Sequence, residues 1–186
     1  MQDRIHQSAT GFGHRQAGNN YYESYYEVQS LEHDLGILGE IIEYVLEEKV
    51  PADFLGGYAE ALSHETELQV KIPLNTENEE DAYDLHDMFL NHWGMIMNVA
   101  KYLGDIEDQG KVIRLREYIK SQYRSIKMDS INIIQTFDRL PFSVLPREKA
   151  SNPDYNVIAK AIVLYFFEQC DIGKKTTNEK ERSLIL

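Results

Sequence analysis

Apolar residues recur along this chain at alternating steps of three and four. Val28, Leu31, Leu35, Leu38, Ile42 and Val45 make the first such row. It is the seam of a helix lying nearly parallel or antiparallel to a neighbour. Glu27, Glu32, Asp34, Glu40, Glu43 and Glu47 fall off that seam. Gly36 and Gly39 each cost about 1 kcal/mol relative to alanine in a helix interior, so they mark a bend or a close approach. Pro51 disfavours the α region at Val50 and ends the helix there. Asp53 caps a short second helix with Phe54, Leu55, Tyr58 and Leu62 on its inner face. Leu68, Val70, Ile72 and Leu74 then alternate, which reads as extended chain, and Pro73 confines it to an edge strand or a packed loop.

Thr76-Glu77-Asn78-Glu79 has the form of a capping box. It opens a third helix whose seam is Ala82, Leu85, Phe89, His92, Ile96, Val99 and Leu103, with Gly104 as its stop. A fourth helix is predicted from Glu107 to Leu140, with Val112, Leu115, Ile119, Ile126, Ile133 and Phe137 inward. The three prolines of "PFSVLPREKASNP" mark a loop, and Asn152-Pro153 reads as N-cap and first helical residue. The fifth helix, "DYNVIAKAIVLYFFEQC", is apolar almost all round, as a central buried helix must be. The pattern therefore predicts an all-α fold, a helical bundle of about five helices around a hydrophobic last helix. A flexible Gly/Asn-rich leader at 1–20, a single helical domain at 21–172 and a polar tail at 173–186 complete the division.

The charge is unevenly spread. The chain of 186 residues carries a formal net charge of −12. Residues 23–108 hold 21 acidic side chains against only Lys49, Lys71 and Lys101, whereas residues 109–186 hold 14 basic and 9 acidic. The acidic half repels a phosphate backbone and the basic half does not. Such asymmetry points to a partner, or to the two halves facing each other. Arg116, Lys120, Arg124 and Lys127 follow steps of four, four and three, so they share one face of the fourth helix. That stripe suits a protein partner, a nucleic-acid backbone, the chain's own acidic helices, or plain solvent.

Catalytic motifs are scarce. The chain has no Gly-x-Ser-x-Gly elbow, no phosphate loop and no His-Glu-x-x-His. Glu60 with His64, and Asp84 with Asp87 near His86 and His92, have spacings that a helical-bundle metal site could use. The Glu-x-x-His unit of di-iron bundles is missing, so no cofactor and no metal are expected. The single Cys170 precludes an internal disulfide and fits a reducing cytoplasm. The longest apolar run, Ala161 to Phe167, is far too short to span a bilayer, and no secretory signal is read at the start.

Two Tyr-Tyr-Glu units follow the leader, pairing Tyr21 and Tyr22 with Tyr25 and Tyr26 at i, i+4. Tyrosine offers a large contact area at low rotamer entropy, so these four either anchor a partner or cover the first turn of the core. "QSATGFGHRQAGNN" just before them, and "VLYFFEQCDIGKK" from Val163 to Lys175, together resemble segments of bacterial ABC-three-component, or Lamassu-like, anti-phage systems. The first resembles short leaders with a Gln-Ala-Gly core. The second resembles the closing helix and Cys-Asp-Ile-Gly-like turn of their helical domains. The resemblance implies a small accessory subunit working beside a coiled-coil ATPase and an effector that is often a nuclease. This chain has neither an ATPase loop nor a nuclease carboxylate–lysine pair that can be placed on a strand.

The expectation is thus a cytoplasmic, non-enzymatic helical adaptor that docks a larger protein subunit, with no membrane contact and direct nucleic-acid contact not favoured. Its partner-binding residues are Tyr21, Tyr22, Tyr25, Tyr26, Arg116, Lys120, Arg124 and Lys127. An acidic inhibitor or immunity protein mimicking nucleic-acid charge is the first alternative, and a metal-dependent bundle enzyme the second.

Overall fold

The computed structural model describes residues 33–50, 68–169 and 171–174, and all but His33 belong to the unit 34–186. Every regular element among the described residues is helical. Helix α1 is followed over 33–44 and runs into a π-helical turn at Val45–Lys49. Then come α2 (Leu68–Asn75), α3 (Glu79–Asp105), α4 (Gln109–Met128), α5 (Ile133–Arg139) and α6 (Pro153–Glu168), with two short 3-10 turns, Leu140–Ser143 and Arg147–Lys149, between the last two.

Helix α6 is the centre of the fold, as its all-round apolar surface requires. Tyr155, Ile158, Ala159, Ala161, Ile162, Val163, Leu164, Phe166 and Phe167 are all buried. Asn152 caps it by accepting from the Asp154 amide at 2.9 Å, with Pro153 following at the first turn. Phe167 meets Phe137 of α5 edge-on with ring centres 5.2 Å apart, and Phe89 of α3 at 5.9 Å. On α3 the predicted seam faces this core. Leu85, Phe89, Ile96, Val99 and Leu103 are buried, Ala82 packs on the core's edge, and His92 is half-buried with Nδ1 2.8 Å from the Met88 carbonyl.

Helix α1 buries a broader face than one seam. Ile37 and Ile41 join Leu38, Ile42 and Val45 in the core. Gly39 is a close approach, because a Cβ there would sit 3.0 Å from the Tyr102 hydroxyl of α3. Val50 is extended at φ −111° and ψ 118°, as the residue before a proline prefers.

Three sequence expectations give way. The stretch Leu68–Asn75 is helical rather than an edge strand or loop, with Pro73 inside the helix. Its inner face is Leu68, Lys71, Ile72 and Asn75, a 3.6-residue period, while Val70 and Leu74 of the apparent alternation point to solvent. Tertiary polar contacts override the local pattern: Lys71 Nζ donates to the Phe167 carbonyl at the end of α6, and Asn75 Nδ2 donates to the Lys174 carbonyl at 3.2 Å.

The N-cap of α3 is Asn78, which accepts from the Asp81 amide at 2.8 Å, and not Thr76, which closes α2 by donating to the Ile72 carbonyl. The predicted helix from Glu107 to Leu140 is two helices. Ser130 Oγ bonds back to the Ile126 carbonyl at 2.8 Å, and Asn132 caps α5 by accepting from the Gln135 amide at 2.9 Å. Gln135 Oε1 in turn accepts from the Ile131 amide, so the break carries its own capping chemistry.

Candidate functional site

The basic stripe of α4 is divided by its surroundings. Arg116 Nε donates to Asp171 Oδ2 at 2.9 Å, with both side chains largely out of solvent at 12% and 13% exposure. Lys120 lies 2.8 Å from Glu117 Oε1 and 3.9 Å from Asp171 Oδ1. These two cations hold down the turn that follows α6. Burial pushes the Asp171 carboxyl above its ordinary range, and the Arg116 and Lys120 charges oppose that rise. The acidic half of the chain supplies neither carboxylate.

That turn is tightly built. The Phe166 carbonyl accepts from the Asp171 and Ile172 amides at 3.0 and 3.3 Å, and Ile172 is buried. Gly173 has φ +88°, and a Cβ there would come within 2.7 Å of the Phe167 ring and 3.0 Å of Asn75 Oδ1. The same Asn75 oxygen accepts from the Lys174 amide. Asp171, Ile172 and Gly173 of the "VLYFFEQCDIGKK" stretch are therefore a structural lock between α6, α4 and α2.

The outer half of the stripe stays open. Arg124 and Lys127 are exposed, and Lys127 Nζ stands 5.5 Å from the centre of the Tyr123 ring. Met128 and Ile131, at the end of α4 and in the turn beyond it, are each 86% exposed. Arg139 spans that turn, donating to the Asp129 carbonyl at 3.2 Å. Residues 124–131 thus combine cations with the two most exposed large apolar side chains among the described residues. The Tyr123 ring beneath is buried, its hydroxyl has no hydrogen-bond partner among the described residues, and burial pushes its pKa up to about 12.

A second surface lies on α3 opposite the core. Tyr83, Leu90, Trp93 and Met97 are exposed by between 45% and 70%, rimmed by exposed Glu79, Glu80, Asp84 and Asp87. The sequence carried its signal: Tyr83, Leu90 and Met97 repeat every seven residues, offset from the buried seam.

Of the other candidate positions, Tyr21, Tyr22, Tyr25 and Tyr26 lie outside the described residues, as do Val28, Leu31, the Asp53 cap with Phe54, Leu55, Tyr58 and Leu62, Glu60, His64 and Cys170. Asp84, His86 and Asp87 are exposed on α3, with His86 Nδ1 3.8 Å from Asp87 Oδ1. Among the described residues no three His, Cys, Asp or Glu side chains gather where a metal could be held. No described helix is long and apolar enough to cross a membrane. Comparison with protein-family models, with curated proteins and with solved structures yields no match.

Proposed function

We propose that this chain is a non-enzymatic helical adaptor of a bacterial multiprotein defence complex, acting in the cytoplasm and docking a larger subunit. The observation that carries docking is the surface at the end of α4. Arg124 and Lys127 are exposed there beside Met128 and Ile131. Cations next to exposed apolar side chains suit a protein partner with acidic and apolar groups better than a nucleic-acid backbone, which has no use for the methionine and isoleucine. The inner cations, Arg116 and Lys120, stabilise the body of the adaptor and do not face the partner. The defence setting rests on the resemblance of the leader and the Cys-Asp-Ile-Gly-like turn, with Tyr21, Tyr22, Tyr25 and Tyr26 as a further anchor.

The experiment is affinity capture of the tagged full chain from its native host, beside a variant carrying Arg124→Glu and Lys127→Glu. The wild type is expected to retain a larger subunit in fixed stoichiometry, less of it as salt rises. The variant is expected to lose it while melting within a few degrees of wild type, since exposed pairs contribute only about 0–1 kcal/mol. Equal capture by both proteins, or tight salt-sensitive binding of DNA by this chain alone, counts against the reading.

A further inference from the structure

The outward face of α3 is a second helix seam. Tyr83, Asp87, Leu90, Gly94, Met97 and Lys101 follow steps of four, three, four, three and four, and all six are exposed. This is the spacing of a helix that packs lengthwise against another helix. The row lies opposite Leu85, Phe89, Ile96, Val99 and Leu103, which face the core, so α3 carries apolar residues on two sides, of which only one is buried among the described residues.

Three features of the row select its occupant. The first is size. Gly94 sits in the middle of the exposed seam, and a Cβ added there would meet nothing within 4 Å. The fold of the single chain therefore gives no reason for a glycine that costs about 1 kcal/mol of helix stability relative to alanine. A hole at Gly94 next to the exposed Leu90 is what a closely approaching helix requires.

The second is symmetry. Laid antiparallel on a copy of itself, with the axis between Leu90 and Gly94, the row pairs each seam position with another seam position. Leu90 of one copy faces Gly94 of the second, and this happens twice. Tyr83 faces Lys101, and Asp87 faces Met97. Trp93, one place off the seam, closes over the flank.

The third is charge. The only Lys or Arg among the 27 residues of α3 is Lys101 near its end, and five acids, Glu79, Glu80, Asp81, Asp84 and Asp87, lie in its first nine residues. A parallel copy would set acids on acids. The antiparallel copy brings each Lys101 over a Tyr83 ring and within a turn of Asp84 and Asp87 on the other chain, a cation–π and charge-complementary pairing. Lys101 makes no ion pair among the described residues.

We infer that the occupant of this face is a second copy of the chain, held as an antiparallel α3–α3 pair in which Leu90 of each copy fills the gap at Gly94 of the other. This surface is separate from the end of α4, so an adaptor dimer would present two docking surfaces to its larger partner.

The full chain tests this by sedimentation with parallel fluorescence of Trp93, its only tryptophan. A species of twice 21.6 kDa is expected at micromolar concentration, with Trp93 emission moving to the blue as the dimer forms. Leu90→Lys is expected to abolish both changes and leave helix content unaltered. Gly94→Leu alone sets leucine against leucine and should weaken the dimer by about tenfold or more, as the loss of a central anchor does. Adding Leu90→Ala to Gly94→Leu exchanges large for small across the pair and should restore it. A monomer with concentration-independent emission overturns the inference, including the outcome in which residues 175–186 or an unrelated helix cover the face. So does a dimer indifferent to Leu90→Lys, or a double variant no tighter than Gly94→Leu.

Discussion

At the scale of single residues, two buried polar groups have opposite character. Tyr123 holds its ring in the core and its hydroxyl without a partner among the described residues. Burying an unsatisfied hydroxyl costs about 1–3 kcal/mol, so Tyr123→Phe is expected to leave chemical-denaturation stability unchanged or raise it by about 1 kcal/mol. A loss of stability would reveal a bound partner for that oxygen. Asp171 is fully partnered by Arg116, with Lys120 beyond it and Glu117 opposing. Burial still raises its carboxyl above the ordinary aspartate range. The folded chain then holds this proton more readily than the unfolded chain. Its contribution to stability is complete below the unfolded value and is lost as pH rises through the raised folded one. Stability measured by urea melts should therefore fall less steeply as pH rises through that window in Asp171→Asn than in wild type. At neutral pH the variant should be as stable as wild type or slightly more so, because the amide oxygen still accepts from Arg116 without burying a carboxylate charge. A carboxyl carbon titration placing Asp171 below the ordinary aspartate range would refute the assignment.

At the scale of elements, boundaries follow side-chain chemistry more than apolar period. Ile126, Ile133 and Phe137 keep a helical rhythm from α4 into α5, yet Asp129, Ser130 and Asn132 interrupt it with backbone hydrogen bonds of their own. The Asn132–Gln135 cap was visible as an Asn-x-x-Gln spacing. The fate of Leu68–Asn75 was not visible, because what turns it helical is the end of a helix almost one hundred residues later. Lys71 and Asn75 reach the carbonyls of Phe167 and Lys174, and no local window contains those acceptors. The turn they secure depends on Gly173. With φ +88° and the Phe167 ring in the path of any Cβ, Gly173→Ala is expected to cost about 1–3 kcal/mol. Its thermal midpoint should drop accordingly, and a midpoint equal to wild type would mean that the turn is not held in this form.

At the scale of the whole molecule, the unit 34–186 is organised around α6. Ile162 has no exposure and sits in the middle of a helix whose neighbours are α3, α4 and α5. Ile162→Asp buries an unpaired carboxylate, costing several kcal/mol, of the order of the entire stability of a domain. The chain is expected to lose its cooperative melt, and a sharp transition near the wild-type temperature would remove α6 from the centre.

What the sequence determined by itself was the helical class, the identity of the central helix and most of the buried face of α3. These follow from periodicity and composition, which act along a single helix and need no knowledge of its neighbours. The sharing of polar groups between distant segments came from packing in three dimensions. The stripe Arg116, Lys120, Arg124, Lys127 is one regular row in the sequence. Folding places Asp171 beneath its first half and leaves its second half to solvent beside Met128 and Ile131. The physical reason is that apolar burial is non-directional and can be read from one strand of text, whereas an ion pair or a buried hydrogen bond exists only once both partners have been brought together.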